Sequence, residues 1–140
     1  MKQALLQLSG DSLDALEDLH AFFDRFGPEA GWPDKLSREL LLCCEELLTN
    51  TISYGYANHP PSEARRIQLS VISAPDGVTI ELTDNAAPYN PLLHPDPDLS
   101  LDVEDRPIGG LGIYFVKRLT DQLHYEWTGR GNKLVLHKRT

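Results

Sequence analysis

Two pairs of short alternating segments constrain this chain more than anything else in it. Ile67, Leu69 and Val71 alternate with polar residues, Pro75-Asp76-Gly77 turns the chain, and Val78, Ile80 and Leu82 alternate again. The pattern returns near the end: Leu123, Tyr125 and Trp127 alternate, Gly129-Arg130-Gly131-Asn132 turns, and Leu134 and Leu136 follow. A period of two gives each strand one buried face. Strands joined by so short a turn must run antiparallel, because a parallel return needs a long crossover. Lys2 to Leu8 reads as a further short strand.

Helical spacing fills the intervals. Asp11 and Ser12 are capping residues for a first helix with an apolar face of Leu13, Leu16, Leu19, Phe23 and Phe26. Gly27-Pro28 reads as its end. Pro33-Asp34 opens a second helix. Its buried run is Leu40, Leu41, Cys44, Leu47, Leu48 and Ile52, and Gly55 through Pro60-Pro61 ends it. A third helix carries Phe115, Val116 and Leu119. Helices on one face of a mostly antiparallel sheet make an α+β fold, a two-layer α/β sandwich. The 140 residues fit one domain, 1–140.

Composition removes several classes of function. The net charge of −8 leaves little for a phosphate backbone to bind, so direct nucleic-acid binding is not expected. No apolar run approaches the roughly 20 residues of a membrane span, and no signal-peptide pattern opens the chain. The two cysteines, Cys43 and Cys44, are adjacent in an apolar helical run. Buried, reduced thiols in a cytoplasmic protein are the expectation. The five histidines are scattered without zinc-site spacing, and no nucleophile elbow occurs.

Between about 86 and 108 the character changes. Pro88, Pro91, Pro95, Pro97 and Pro107 break any periodicity, and Asp96, Asp98, Asp102, Glu104 and Asp105 make the segment acidic. A long loop of this kind is a functional lid, a disordered segment or a tolerated insertion.

Three constellations bear on chemistry. Glu46 and Asn50 stand four apart on the second helix and so share a face. A carboxylate serves as a general base and an amide oxygen as a hard ligand for Mg²⁺, although for such a pair taken alone a solvated helix face is the commoner explanation. Thr83-Asp84-Asn85 ends a strand, where a carboxylate can accept from an exocyclic amine or simply begin a turn. Gly109-Gly110-Leu111-Gly112 precedes a helix, whose free N–H groups favour phosphate. It matches neither the P-loop nor the dinucleotide fingerprint. Arg106 lies just before it, ready to meet a terminal phosphate or an acidic neighbour.

Taken together and in order, these segments resemble the bacterial anti-sigma-factor serine kinases, the RsbW/SpoIIAB-like group within the GHKL superfamily of ATPases and histidine kinases. Glu46 to Asn50, running on through Tyr54-Gly55-Tyr56, is similar to that family's N box. Asp84 to Pro91 is similar to its G1 box, and Arg106-Pro107-Ile108-Gly109-Gly110-Leu111-Gly112-Ile113 to its G2 box. Gly131-Asn132-Lys133-Leu134 resembles its closing turn and strand.

The resemblance implies a Bergerat ATP-binding fold with ATP and Mg²⁺ as cofactors. By position, Asn50 would coordinate Mg²⁺ and Glu46 would be the general base. Asp84, with Ala86 beside it, would receive the adenine amine. Gly109, Gly110, Leu111 and Gly112 would cradle phosphate, and Arg106 would reach the terminal phosphate or the protein substrate. The implied activity is phosphorylation of a serine on an anti-anti-sigma, STAS-type protein, coupled to sequestration of a sigma factor or similar regulator by a homodimer. Two positions depart from the pattern. Ala86 replaces a glycine of many relatives, and Lys133 stands where a hydroxyl residue is common. Together with the acidic lid they motivate an alternative, a non-catalytic nucleotide-binding regulatory module. A third reading is a detached histidine-kinase-like ATPase domain, although the chain holds no phosphoacceptor helix pair.

Overall fold

Alternation decides the sheet. In a computed structural model describing residues 1–8, 10, 12–96, 100 and 111–140, five strands pair. They are β1 (Lys2–Leu8), β2 (Ile67–Ala74), β3 (Gly77–Asp84), β4 (Gln122–Trp127) and β5 (Asn132–Arg139). The order is β1-β2-β3-β5-β4, and every neighbouring pair is antiparallel. The register aligns apolar rows across all five strands. Leu6, Leu69, Leu82, Leu134 and Tyr125 form one row, and Ala4, Val71, Ile80, Leu136 and Leu123 the next. On the opposite face Gln68, Ser70, Glu81, Thr83 and Lys133 stay half-exposed.

Helices α1 (Ser12–Ala30), α2 (Asp34–Asn50) and α3 (Leu111–Leu119) bury their apolar stripes in the same core as those rows. The expected α+β sandwich is therefore the fold. Trp32, in the link between α1 and α2, donates its indole N–H to Ser73 Oγ at 2.9 Å and fastens the link to β2.

Several boundaries differ from the sequence reading. Helix α1 does not stop at Gly27-Pro28 but runs to Ala30 with Pro28 inside it. The true stop is Gly31, at φ 76°. Trp32 N–H reaches back to Gly27 O at 2.9 Å and Gly31 N–H to Pro28 O at 3.1 Å. This is a Schellman closure, completed by Trp32 against Phe26 with ring centroids 5.1 Å apart.

Helix α2 opens after Pro33 as expected and then passes at Thr51 into a π-turn, Thr51–Gly55. Leu41 and Ile52 are only partly buried, and Cys43 joins Leu40, Cys44, Leu47 and Leu48 inside. In α3 the core residues are Ile113 and Val116, three apart on one face, whereas Phe115 is 47% exposed. Asn132 belongs to β5 rather than to the preceding turn.

Lys138 of β5 holds α3 in place. Its ammonium donates to Leu119 O, at the α3 C-terminus, at 2.6 Å and pairs with Glu39 of α2 at 3.1 Å. A cation suits the negative end of a helix. Sheet, α2 and α3 are thereby tied at one point.

Among the described residues no helix is long and apolar enough to cross a membrane. Cys43 and Cys44 are free and buried. Burial pushes the Cys43 thiol up to about 11 and raises Cys44 further, again chiefly through desolvation.

Two outcomes follow. Gly31→Ala should lower the unfolding free energy by about 1–2 kcal/mol, because an L side chain is strained at that φ; denaturant titration with an unchanged m-value measures it. Both thiols should resist a disulfide exchange reagent at pH 7.5 and react fully in denaturant. Rapid labelling of either one in the folded protein would contradict their burial.

Candidate functional site

The site begins with the two sides of α2. One side sends Leu40, Cys44, Leu47 and Leu48 into the core, and the other brings Glu46 against α3. The Glu46 carboxylate lies on Gly112, so close that a Cβ at that position would overlap Oε2. Asn50 stands four residues on, its Nδ2 donating to Glu46 O at 2.8 Å. That bond leaves Asn50 Oδ1 without a described donor. Both residues are half-buried, so this is not a freely solvated helix face.

The π-turn then sets the next stretch. Tyr56 N–H bonds to Thr51 O at 3.1 Å, a span of five residues that keeps Thr51 and Tyr56 on one side. Tyr56 is fully buried. Its hydroxyl donates to Asn85 Oδ1 at 2.6 Å and accepts from Asn85 N–H at 3.2 Å. Asn85 Oδ1 also takes Arg66 N–H at 2.8 Å, and its Nδ2 donates to Ala64 O at 2.9 Å. Asn85 is thus a structural tie between the segment after α2 and the end of β3.

Asp84 closes β3 as the sequence indicates. Its Oδ1 accepts from Ala86 N–H at 2.9 Å, Asn132 N–H at 3.1 Å and Asn132 Nδ2 at 2.9 Å. Among the described residues no donor reaches Oδ2. Asp84 lines a cavity with Leu47, Thr51, Leu82, Tyr89, Pro91, Tyr125, Asn132 and Leu134. The free space there is about 10 Å³, enough for roughly one water. A purine fits only when a wall moves, and Tyr89 and Pro91 are the wall residues carried on a loop.

The two departures from the family pattern are harmless to this geometry. No non-glycine residue described has positive φ, so Ala86 sits in ordinary backbone. It is buried with its methyl beside Gly55. Lys133 does not stand in the cavity wall. It pairs with Glu81 at 3.0 Å on the opposite face of the sheet, and its neighbour Asn132 takes the inward position.

Sequence reasoning missed Asn132, which it assigned to a turn, and the aromatic contacts at the start of the proposed lid. Tyr89 stacks on Tyr54 with centroids 5.5 Å apart and its hydroxyl lies 2.6 Å from His94 Nε2. Lys117 of α3 reaches His94 O at 3.4 Å and Asp96 at 3.1 Å. The start of this segment is therefore ordered, with a 3-10 turn at Pro91–Leu93 whose Leu92 N–H is met by Asn90 Oδ1. The signal was present in Asn90-Pro91, a favourable turn opening. Leu111 begins α3. Arg106, Gly109 and Gly110 lie outside the described residues, as do residues 97–99 and 101–108 of the expected lid.

The chemistry fits a nucleoside triphosphate. An acceptor-only carboxylate edge and apolar walls suit an aminopurine. Gly112, at the first turn of α3, exposes backbone where phosphate is favoured. Asn50 Oδ1 is one hard oxygen, which suffices for Mg²⁺ because that ion draws most ligands from phosphate and water. Among the described residues no cluster of three or more acidic, His or Cys side chains forms a separate metal site.

An antiparallel sheet covered on one face by helices, with this cavity between α2 and the ends of β3 and β5, defines a GHKL-type ATPase domain. Residues 11–138 match the family described as the histidine kinase-like ATPase domain, and the chain belongs to it. It is similar to the serine/threonine-protein kinase BtrW of Bordetella bronchiseptica, at 26% identity over 135 residues, covering 96% of this chain and 92% of that protein. The chain is a kinase-like ATPase domain, and ATP binding follows from that membership.

The Glu46–Gly112 contact is testable without nucleotide. Gly112→Ala should cost about 1–3 kcal/mol of stability through overpacking. Adding Glu46→Ala should recover most of that loss. Additive losses in denaturant titrations would mean that the carboxylate and Gly112 do not touch.

Proposed function

We propose that this protein is a partner-switching serine kinase. It binds Mg-ATP, phosphorylates a serine of an anti-anti-sigma, STAS-type protein, and sequesters a sigma factor or similar regulator in the alternate complex. One observation carries the reading. The end of α2 and the π-turn that continues it line the base cavity with Leu47 and Thr51, and Glu46, the residue before Leu47, lies on the first turn of α3. Base recognition and a carboxylate beside the phosphate position are therefore built on one rigid element.

In this reading Asp84 Oδ2 accepts the adenine amine. The α3 N-terminus at Gly112 faces the phosphates, and Glu46 stands where an incoming serine hydroxyl must approach. The serine Oγ attacks the γ-phosphorus, the bond from that phosphorus to the β–γ bridging oxygen breaks, and ADP leaves. Glu46 takes the serine proton. Mg²⁺, held through Asn50 Oδ1, would neutralise phosphate charge when bound. Arg106, Gly109 and Gly110 complete the phosphate site in the proposal, on the strength of the family resemblance. A homodimer and a cytoplasmic setting belong to the same reading, the latter in keeping with two free thiols.

The alternative of a non-catalytic module drew on Ala86 and Lys133. Neither residue alters the cavity chemistry, so the kinase reading is preferred.

The test uses labelled ATP and a STAS-type protein bearing the acceptor serine. Glu46→Gln should bind Mg-ATP nearly as well as the wild type while phosphoryl transfer falls at least about a hundredfold. Asn50→Ala should instead weaken Mg-ATP binding itself. Undiminished transfer by Glu46→Gln would remove Glu46 from the mechanism, and ATP binding with no transfer to any such protein would favour the non-catalytic module.

A further inference from the structure

Aromatic rings and thiols aside, Asn132 is the one buried polar side chain among the described residues, 7% exposed at the start of β5. An asparagine side chain offers two N–H donors and an acceptor oxygen with two lone pairs, and here all are engaged. Nδ2 donates to Asp84 Oδ1 and to Ala87 O, each at 2.9 Å. Oδ1 accepts Tyr89 N–H at 2.9 Å and Tyr125 O–H at 2.5 Å. The orientation of the amide is unambiguous, because reversing it would set oxygen against a carboxylate and a carbonyl and nitrogen against an N–H. Burial raises the Tyr125 phenol, which keeps it a donor at neutral pH.

A saturated side chain has nothing left for a ligand, so whatever Asn132 does at this site it does through its partners. Asp84 is the important one. With Ala86 N–H it gives Oδ1 three donors, two of them from Asn132 itself. The carboxylate cannot rotate without breaking buried bonds. Oδ2 is left for the cavity as a pure acceptor. A 6-aminopurine presents a donor to such an oxygen, whereas a 6-oxopurine presents another acceptor and leaves both unpaired.

From this geometry we infer that Asn132 is the positioning residue that sets base selectivity, locking Asp84 so that only a 6-amino purine is accepted. The inference rests on the ATP-binding reading above and assigns within it a role that Asp84 alone does not explain. Asn132 also pins the loop at Ala87 and Tyr89. Loosening that loop changes how well any nucleotide is enclosed, while releasing Asp84 changes only the discrimination between 6-amino and 6-oxo bases.

The full-length protein is titrated calorimetrically with Mg-ATP and with Mg-inosine triphosphate. The wild type should prefer ATP. Asn132→Ala should lower the ATP-to-inosine-triphosphate affinity ratio about tenfold or more, the effect of losing one well-made buried hydrogen bond. Tyr125→Phe, a milder change on the same network, should lower it about threefold. A purely structural role would weaken both nucleotides together and leave the ratio intact, which overturns the inference. If Asn132→Ala fails to fold by circular dichroism, Tyr125→Phe decides: an unchanged ratio overturns the inference. A wild type that binds both nucleotides equally also overturns it, while leaving the triphosphate site standing. A wild type that binds neither overturns the ATP reading as well.

Discussion

The rest of the structure depends on the seating of α2 against the sheet. Its stripe of Leu40, Cys44, Leu47 and Leu48 is buried almost completely, and burying side chains of that size stabilises by roughly 1.5–3 kcal/mol each. That seating fixes the rotation of the helix. Once it is fixed, Glu46 has only one direction in which to point, towards α3. Leu47 is the residue beside it and faces the base cavity. The division between the two ends of the site is thus a consequence of helical geometry, with about 100° between successive residues.

The π-turn extends this control beyond the end of the helix. An α-helical continuation would carry residue 55, four after Thr51, onto the inner face. The wider turn places Tyr56 there instead, 1% exposed, with its hydroxyl on Asn85. Asn85 follows Asp84, so the conformation of the segment after α2 bears directly on the strand end that presents Asp84. Two parts of the site that are far apart in sequence share one buried phenol. Burial raises the Tyr56 pKa, so the hydroxyl remains able to donate across the pH range in which the protein works.

How much of this was legible depended on the range of the forces involved. The two hairpins and α2 follow from local periodicity, and the structure reproduces them. The end of α1 was misread because Gly27-Pro28 is a strong breaker on its own, while the Schellman closure at Gly31 needs Trp32 to pack on Phe26. In α3, hydrophobicity alone does not separate Phe115 from the core residues. Only the packing against α2 shows that Ile113 and Val116 fill that place. Glu46, Asn50 and Asp84 were legible as types and spacings, but the contact of Glu46 with Gly112 joins residues 66 positions apart. Asn132 was illegible for the same reason: its partners Asp84, Ala87 and Tyr89 lie more than 40 residues away. Arg106, Gly109 and Gly110 were legible by family likeness alone.

The cavity also divides into parts that are held and a part that can yield. Leu47 is fixed by α2, Thr51 by the π-turn that continues it, and Leu82, Asp84, Tyr125, Asn132 and Leu134 by the sheet. Tyr89 and Pro91 alone stand on a loop, yet they are not loose: Tyr89 is bonded to Asn132 through its N–H and stacked on Tyr54. Admitting a base therefore means moving the Tyr89 ring off its stack on Tyr54 rather than ordering a floppy segment. Those contacts run to α3 through His94 and Asp96, both within reach of Lys117. A base that displaces Tyr89 thereby perturbs the segment leading towards the acidic loop and, through Lys117, the helix whose first turn meets Glu46. In the proposed function, the pieces that would recognise the base are mechanically connected to those that would stand beside the phosphates, which is the arrangement a nucleotide-dependent switch requires.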